Sequence, residues 1–439
     1  MTDIEKRSQI AESVEECKSR GRIRDSTATY ASSSSTDTSE GMGGNAKGYL
    51  TVFGAFLALF CTFGQMNAFG TFQAWYTTHQ LSTFDASTIA WIGSLQLWVF
   101  FFSGGPIGYL YDMYGPRALM LVGTLCCVLG IMMTSISTQY YQYILSQGIL
   151  FGLGVGLLFY PSLASVSTHF AKYRATATGI AVAGSGLGGV VFPIMLQSLF
   201  VRVGFGWATR ISGLLCAVLC GIAVLTVSES PRPTDRPTTQ LMGLKCLRDS
   251  SYMLLAAGGS LVALGWFIPY FYVVDYAQSL GISSHMSFVV LALMNAGGVF
   301  GRIAPAVLSD RIGRFNLLAP TSLIAGLLIL VSWMFARSLP SLIVFSVLYG
   351  FFSGSFISVV TPCVAQISDI REIGIRIGIM YSIISFPALI GGPVAGLILA
   401  HNHGSYHGMI IFSGTTVVAG SLLFLGVKIR LNSNLLARV

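Results

Sequence analysis

Residues 108–117 read GYLYDMYGPR, and a related stretch, AVLSDRIGRF, occupies residues 306–315. Each stretch contains an aspartate, Asp112 or Asp310, that precedes a glycine by three residues, and an arginine follows that glycine. An apolar segment precedes each copy and another apolar segment follows it. A motif that recurs in this way indicates that the chain consists of two related, membrane-embedded halves.

The composition of the chain argues against a water-soluble protein. Of its 439 residues, 53% are hydrophobic and 10% are charged, and the mean hydropathy is +0.71. Soluble domains carry roughly 25% charged residues, so we expect lipid to surround most of this chain. The net charge of +8 arises from basic residues scattered between apolar runs, which indicates membrane orientation rather than nucleic-acid binding. The cysteines lack metal-binding spacing, and the sequence predicts no metal and no cofactor.

Twelve segments have the length and apolarity of membrane-spanning helices, because a span needs about 20 apolar residues to cross about 30 Å of hydrocarbon. Numbered one to twelve in chain order, they are approximately residues 49–75, 87–110, 117–137, 141–165, 174–201, 206–227, 252–277, 285–308, 316–336, 340–364, 372–400 and 406–427. The predicted fold class is an all-α membrane protein with twelve transmembrane helices in two pseudo-symmetric six-helix bundles.

These spans divide the chain into five regions. A serine-rich, polar tail at residues 1–48 is predicted to be disordered and cytoplasmic. Residues 49–227 and 252–427 are predicted to form the two six-helix bundles. A proline-containing linker at 228–251 separates the bundles, and a short tail at 428–439 ends the chain.

The positions of the basic residues predict the orientation of the chain. All Lys and Arg except Arg202, Arg210, Arg302 and Arg337 lie in the tails and in the even-numbered connections between spans. Cytoplasmic loops carry an excess of Lys and Arg, so both termini and the linker are predicted to be cytoplasmic. We expect a multi-pass protein of the plasma membrane.

Residues 179–193 read GIAVAGSGLGGVVFP and contain a G-x-G-x-x-G pattern. A dinucleotide site requires a preceding strand, a following helix and an acidic residue about 20 positions further on. No Asp or Glu occurs from Met113 to Ser228, so we predict helix packing instead, because small residues four apart let helix backbones approach closely in lipid. The predicted packing glycines, on spans five and four, are Gly184, Gly188, Gly189, Gly152 and Gly156.

Arg302 is the deepest charge in the predicted spans. It lies eight residues before Asp310 on one helix, which is about 12 Å at 1.5 Å per residue. A charge at membrane depth costs about 2.5–3.5 kcal/mol on insertion scales, and a guanidinium binds a carboxylate through two parallel hydrogen bonds. We predict that Arg302 binds an organic anion; the alternative is a structural arginine satisfied by carbonyls or a neighbouring polar side chain.

Other polar side chains in the spans are candidates for the same site. Asn67, Gln65 and Asn295 on spans one and eight either bind the substrate or hydrogen-bond one another, and Tyr270 on span seven is a candidate lining residue. Asp275 is the carboxylate nearest to the predicted cavity. It is either a proton-coupling group or a solvated carboxylate at the membrane interface.

The motif around Asp112 resembles the G-x-L-x-D-[RK]-x-G-x-[RK] signature of the major facilitator superfamily. Together with GLGVGLLFYPSLASVSTHF at 152–170 and YRATATGIAVAGSGLGGVVFP at 173–193, it makes residues 49–427 resemble fungal members of the monocarboxylate-porter branch. The resemblance implies alternating access to a central site. It also implies that the arginine at the place of Arg302 binds substrate.

The sequence departs from that branch at two positions. Animal members carry an aspartate one turn before the arginine, where this chain has Gly298, and a lysine in the first span, where it has Asn67. Both groups are tied to proton-coupled lactate transport. Their absence disfavours lactate as the substrate and disfavours proton coupling.

The resemblance also implies a gate at the cytoplasmic ends of the spans. Asp112 and Asp310 are expected to face the N-termini of spans eleven and five, where the helix dipole favours a carboxylate. The predicted gate residues are Asp112, Gly115, Arg117, Asp310, Arg311, Arg314, Arg174 and Arg376.

We therefore predict a secondary active transporter, and not an enzyme, that moves a small organic solute across the lipid bilayer. An organic anion or weakly acidic secondary metabolite that the carrier exports is the favoured substrate, and protons are the candidate coupling ion. Uptake of a monocarboxylate or vitamin-like nutrient and, more distantly, a transporter-like sensor are the alternatives. The sequence does not indicate an oligomeric state.

Overall fold

A computed structural model describes residues 46–84, 86–170, 173–228, 243–369, 372–432 and 434. The predicted disordered tail, up to residue 45, and most of the predicted linker lie outside the described residues. Every regular element in the described part is helical.

Membrane-spanning helices account for almost all of the described residues. Eleven of them are long and apolar enough to cross a membrane, and span two supplies the shorter apolar helix Trp91–Phe102. A short 3-10 helix, Gly243–Arg248, precedes span seven. In order, the spans are Ala46–Asn67 with Phe69–Thr78, Ala86–Phe102 with Gly104–Tyr114, Pro116–Ile136, Tyr140–His169, Arg174–Val203, Phe205–Thr226, Ser250–Trp266 with Ile268–Ser279, Ser284–Ile312, Arg314–Trp333, Leu339–Gln366, Ile373–His401 and His407–Leu431.

Three of the predicted spans are not continuous helices. Spans one, two and seven are interrupted at Ala68, Ser103 and Phe267. In span seven the interruption precedes Pro269, because proline lacks an N–H and its ring clashes with the carbonyl four residues earlier. Span twelve continues to Leu431, four residues past its predicted end at 427, so the C-terminal tail begins later than expected.

Neighbouring side chains satisfy the backbone at the interruption of span two. The Ser382 hydroxyl on span eleven donates a hydrogen bond of 2.9 Å to the carbonyl of Phe102 and accepts one of 2.8 Å from the N–H of Gly105. The Tyr160 hydroxyl on span four donates to the carbonyl of Phe100 at 3.1 Å. Broken helices are tolerated at membrane depth because such neighbours satisfy the freed groups.

The two copies of the motif have the same backbone conformation. Gly115 and Gly313 terminate the helices of spans two and eight with φ of 76° and 109°, a region that L-residues with a side chain rarely adopt. Each glycine directly precedes the next span, Pro116–Ile136 or Arg314–Trp333. The repeated sequence thus encodes the same sharp turn twice, and the predicted fold of two pseudo-symmetric six-helix bundles is confirmed.

Glycines bring helices of the two halves into backbone contact. A Cβ on Gly108 of span two would overlap the carbonyl of Gly374 on span eleven, and one on Gly378 would overlap that of Gly104. Spans five and eight meet similarly, because a Cβ on Gly179 would overlap the carbonyl of Arg302. Close packing of this kind supplies the association energy that the hydrophobic effect cannot supply within lipid.

Candidate functional site

Asp112 connects span two to the first residues of span eleven. Its carboxylate accepts hydrogen bonds from the backbone N–H groups of Gly374, at 3.2 Å, and Ile375, at 2.7 Å. The first N–H groups of a helix have no partner within the helix, and the helix dipole favours a negative charge there. Asp112 therefore joins one half of the chain to the other.

Asp310 makes the equivalent connection from the second half. Its carboxylate accepts hydrogen bonds from the N–H groups of Ala175, at 3.1 Å, and Thr176, at 2.7 Å, at the start of span five. Arg314 lies 3.4 Å from the same carboxylate, and Arg174 interacts with it electrostatically. We call the end of the molecule that carries Asp112 and Asp310 the motif end. Four hydrogen bonds, from backbone N–H groups to these two carboxylates, hold the halves together there.

The predicted gate arginines at the motif end differ in their partners and in their exposure. Arg376 pairs with Glu372, at 3.4 Å, and with Asp249, at 3.6 Å, before span seven. Its carboxylate partners therefore belong to the end of the linker and to the start of span eleven, and Asp112 reaches the same helix through backbone N–H groups. Two other predicted gate arginines, Arg117 and Arg311, are exposed.

Arg302 is buried in the interface between spans eight and five. It is 6% exposed, and its Nε and Nη1 atoms have no hydrogen-bond partner. Burial of an unpaired charge is strongly unfavourable, and the structure provides neither the carbonyl nor the side chain that a structural arginine would need at those atoms. The unpaired guanidinium is the most distinctive chemical feature of this interface.

Two glycines leave the space that the guanidinium occupies. A Cβ on Gly186 of span five would overlap Nη1 of Arg302 and would lie 2.7 Å from Cγ2 of Val299. Gly298, one turn before Arg302, is less crowded, because a Cβ there would lie 3.4 Å from Nη1. A carboxylate in place of Gly298 would thus lie beside the guanidinium, and this chain provides none.

Tyr270 of span seven lies near Arg302, and Asn67 of span one lies against Gly189 of span five. Tyr270 interacts electrostatically with the guanidinium, and its hydroxyl lies 3.0 Å from the hydroxyl of Ser353. The Nδ2 atom of Asn67 would lie 2.6 Å from a Cβ on Gly189, which is three residues from Gly186 and therefore on the same helix face. The structure thus brings spans five, seven and eight together around Arg302, and Asn67 of span one packs on span five about one turn beyond Gly186.

The other predicted polar residues lie apart from this group. Asn295, two turns before Arg302, donates from Nδ2 to the carbonyl of Leu291 on its own helix, at 3.2 Å. Gln65 points into the first half, where its Nε2 donates to the Ser212 hydroxyl at 2.8 Å. It lines a cavity of about 10 Å³ together with Phe72, Ile131, Thr134, Gln147, Phe151 and Thr209.

Asp275 lies near the end of the molecule opposite the motif end. It is exposed and interacts electrostatically with Tyr272 and with Tyr406, which lies in the connection between spans eleven and twelve. Both roles that the sequence left open for Asp275, a proton-coupling group and a solvated carboxylate at the membrane interface, remain predictions.

The predicted packing glycines lie at helix crossings within the first half. A Cβ on Gly184 or Gly188 would overlap the carbonyls of Phe56 or Phe60 on span one. Span four meets span two in the same way: a Cβ on Gly152 would lie 2.8 Å from the carbonyl of Gln96, and one on Gly156 2.6 Å from the Ser103 hydroxyl.

Sequence reasoning missed the role of Gly186. Rows of small residues four apart on span five predicted a helix-packing surface without indicating its partner, and Gly179 and Gly186, which are seven apart, are not four apart in any such row. Seven residues are about two helical turns, so these two glycines share a face, and both face Arg302. This seven-residue spacing is the signal that could have identified the contact with span eight.

Comparisons with known proteins agree with this architecture. The family model described as Major Facilitator Superfamily matches residues 55–336 and 306–437. "MFS-type transporter 1" of Ophiocordyceps sp. (strain BCC 1869) is 40% identical over 395 residues, which cover 90% of this chain and 88% of that protein. "Agnestins efflux protein AgnL12" of Paecilomyces divaricatus is 39% identical over 389 residues, 89% of each chain.

A solved structure has the same fold at low sequence identity. The "human organic anion transporter MFSD10 (TETRAN)" superposes with a TM-score of 0.69 at 17% identity, over 86% of this chain and 98% of that chain. Its likeness concerns the fold alone. The family model and the fungal relatives cover most of the chain, and the chain therefore belongs to the Major Facilitator Superfamily and is a membrane transporter.

Proposed function

We propose that this protein is a secondary active transporter that exports a small organic acid or weakly acidic secondary metabolite by alternating access. Arg302 binds the anionic group of the substrate at the interface of the two halves. The hydrogen bonds of Asp112 and Asp310 hold the motif end closed, and their release opens the site to that side.

The observation that carries this proposal is the unpaired, buried guanidinium of Arg302. An arginine at membrane depth without a protein partner is costly, and a bound anion would supply the missing hydrogen bonds. A carboxylate fits best, because the guanidinium binds it through two parallel N–H···O bonds. Arg302 lies between span five of the first half and span eight of the second half, as a site at the interface of the halves requires.

The similarity to the agnestins efflux protein supports export over uptake, because that relative is 39% identical over 89% of this chain. Uptake of a monocarboxylate or vitamin-like nutrient would use the same anion-binding residue, Arg302, and would differ only in the direction of transport. Flux measured in both directions therefore distinguishes the two.

We assign the chain to the monocarboxylate-porter branch of the superfamily on the arginine in span eight. The missing branch-specific groups, replaced by Gly298 and Asn67, favour a bulkier acid than lactate and leave proton coupling to another group. Asp275 is the candidate for that role. A test of proton coupling is to compare flux with and without a pH gradient for the wild type and for Asp275→Asn.

In the membrane, we place the motif end and both termini in the cytoplasm, in agreement with the distribution of Lys and Arg. The plasma membrane is the expected location for an exporter. The two six-helix bundles then comprise residues 49–227 and 252–427, joined by the cytoplasmic linker 228–251. Accessibility of an N-terminal epitope tag in intact and permeabilised cells tests this orientation.

The experiment that tests the function is flux of labelled weak acids in proteoliposomes, with benzoate and octanoate as probes. Wild type is compared with Arg302→Gln and with Arg337→Gln, which removes an exposed arginine outside the site. We expect Arg302→Gln to lose anion flux and Arg337→Gln to retain it. If the monodisperse Arg302→Gln protein carries the same acids at the wild-type rate, Arg302 is structural and the proposal fails.

A further inference from the structure

A cluster of aromatic rings joins the two halves at the depth of Arg302. Phe101 of span two lies 6.0 Å from Tyr381 of span eleven and 6.2 Å from Phe267 of span seven, between ring centroids. Tyr381 also packs against Phe159 and Tyr160 of span four, at 5.6 and 5.7 Å. We call Phe101, Phe159, Tyr160, Phe267 and Tyr381 the interhalf aromatic cluster.

The cluster extends towards Arg302 along span seven. Phe267 packs against Trp266 at 4.7 Å, and Trp266 packs against Tyr270 at 5.8 Å. Tyr270 in turn interacts with the guanidinium of Arg302. A continuous series of ring contacts therefore runs from the interface of spans two, four and eleven to Tyr270, the ring nearest to the unpaired charge in this series.

The rings and the guanidinium lie in one layer of the molecule. Tyr381 lies six residues beyond Ile375, which binds Asp112, and Arg302 lies eight residues before Asp310. At 1.5 Å per residue these separations are about 9 and 12 Å along the helices from the closed motif end. Both features therefore lie deep in the membrane-spanning region, where a substrate bound between the halves would contact them.

The hydroxyl and indole groups of these aromatic side chains already have hydrogen-bond partners. The Tyr381 hydroxyl lies 3.0 Å from the Thr361 hydroxyl, and the Tyr160 hydroxyl donates to the carbonyl of Phe100. The indole N–H of Trp266 donates to the carbonyl of Ser353 at 3.2 Å. The rings are buried against one another in this closed interface, so a ligand meets their faces and edges only when the halves separate, and the guanidinium then supplies hydrogen-bond donors.

We infer that the substrate is a planar aromatic acid, with its anionic group on Arg302 and its ring system against the interhalf aromatic cluster. The inference rests on the proposed function and adds the shape of the substrate body. Contacts between Phe101 and Tyr381 must break when the halves separate, because the two rings belong to different halves. A flat aromatic body replaces those contacts in offset or edge-to-face geometry, whereas a saturated body of equal size offers no ring face.

The test compares 2-naphthoate with its saturated analogue, decahydro-2-naphthoate, in proteoliposomes. The two acids share the carboxylate and the fused-ring skeleton and differ in planarity and aromaticity. Variants Phe101→Leu and Tyr381→Leu remove one ring from each half. Phe300→Leu is the matched control, because Phe300 is two residues from Arg302 but 69% exposed on the outer surface.

We expect the wild type and Phe300→Leu to have a KM for 2-naphthoate roughly two- to tenfold below that for the saturated acid, the size of an aromatic pair interaction. Each cluster variant should lose this preference and still carry the saturated acid. The inference is overturned if the wild type has equal KM values for the two acids, or if both cluster variants still prefer 2-naphthoate. In either case the proposed function stands as long as the flux depends on Arg302. If neither acid is carried, or if Arg302→Gln carries both normally, the proposed function fails and the inference fails with it.

If Tyr381→Leu is not monodisperse, Phe159→Leu takes its place, because Phe159 packs against Tyr381 from span four. Each variant is judged on the ratio of the two KM values. A general loss of active protein lowers both rates together and leaves that ratio unchanged.

Discussion

Substitution of Gly186 by alanine should weaken anion binding without any change at Arg302 itself. A Cβ at this position would overlap Nη1 of Arg302, and the guanidinium must move by roughly 1 Å to restore van der Waals contact. Hydrogen bonds to charged groups contribute about 1.5–3 kcal/mol each. Loss of one such bond raises KM by roughly 10- to 100-fold, at 1.4 kcal/mol per factor of ten.

The matched control for this prediction is Gly298→Ala. Its Cβ would lie 3.4 Å from the same Nη1 atom, which is an ordinary contact, so KM should stay within about twofold of the wild-type value. The assay is uptake of labelled 2-naphthoate into proteoliposomes as a function of concentration. Equal KM values for the two variants would refute the reasoning. A fall in maximal rate at constant KM in Gly186→Ala would also refute it, because that result assigns the glycine to helix movement.

Three further predictions concern the motif end and the surroundings of Arg302. The double variant Asp112→Asn, Asp310→Asn loses charge-assisted hydrogen bonds, so amide hydrogen exchange at the N-termini of spans eleven and five should accelerate about tenfold. Unchanged exchange rates would contradict the role of the two aspartates in holding the motif end closed. Gly313→Ala forces a side chain into the left-handed region of φ at a cost of about 1–3 kcal/mol, so the Tm of this variant in detergent should fall below that of Gly221→Ala. Gly221 is the control because it is a helical site where an added Cβ would meet nothing within 4 Å; equal Tm values would contradict the prediction. Gly298→Asp places a carboxylate beside the guanidinium of Arg302, so the affinity for the anionic substrate should fall at neutral pH and recover on acidification, when that carboxyl is protonated. A pH-independent KM equal to the wild-type value would refute the pairing of the new carboxylate with Arg302.

The sequence predicted those parts of the fold that local patterns encode. Apolar segments of spanning length located the twelve spans, and the repeated motif identified the two halves. The turns at Gly115 and Gly313 are encoded locally, because a backbone with positive φ favours glycine wherever it occurs. The break at Ser103 escaped detection because a tertiary partner, Ser382, which lies far away in sequence, satisfies the freed backbone groups.

Side-chain direction within the spans was much harder to predict. Gln65 and Asn67 are two residues apart, yet Gln65 binds Ser212 inside the first half and Asn67 lies against Gly189. A helix that is apolar on all sides carries no hydrophobic stripe to indicate which face meets which neighbour. The interhalf aromatic cluster was missed for the same reason, because its rings come from four separate spans and meet only in the folded chain.

The most direct test of the central claim, that Arg302 binds the anionic group of the substrate, is equilibrium binding to purified protein. Dissociation constants for 2-naphthoate and its neutral amide, 2-naphthamide, are compared in the wild type and in Arg302→Gln. We predict that the wild type binds the acid at least tenfold more tightly than the amide and that the variant binds both equally. An acid preference that persists in the folded variant would contradict the assignment of Arg302 as the anion-binding residue.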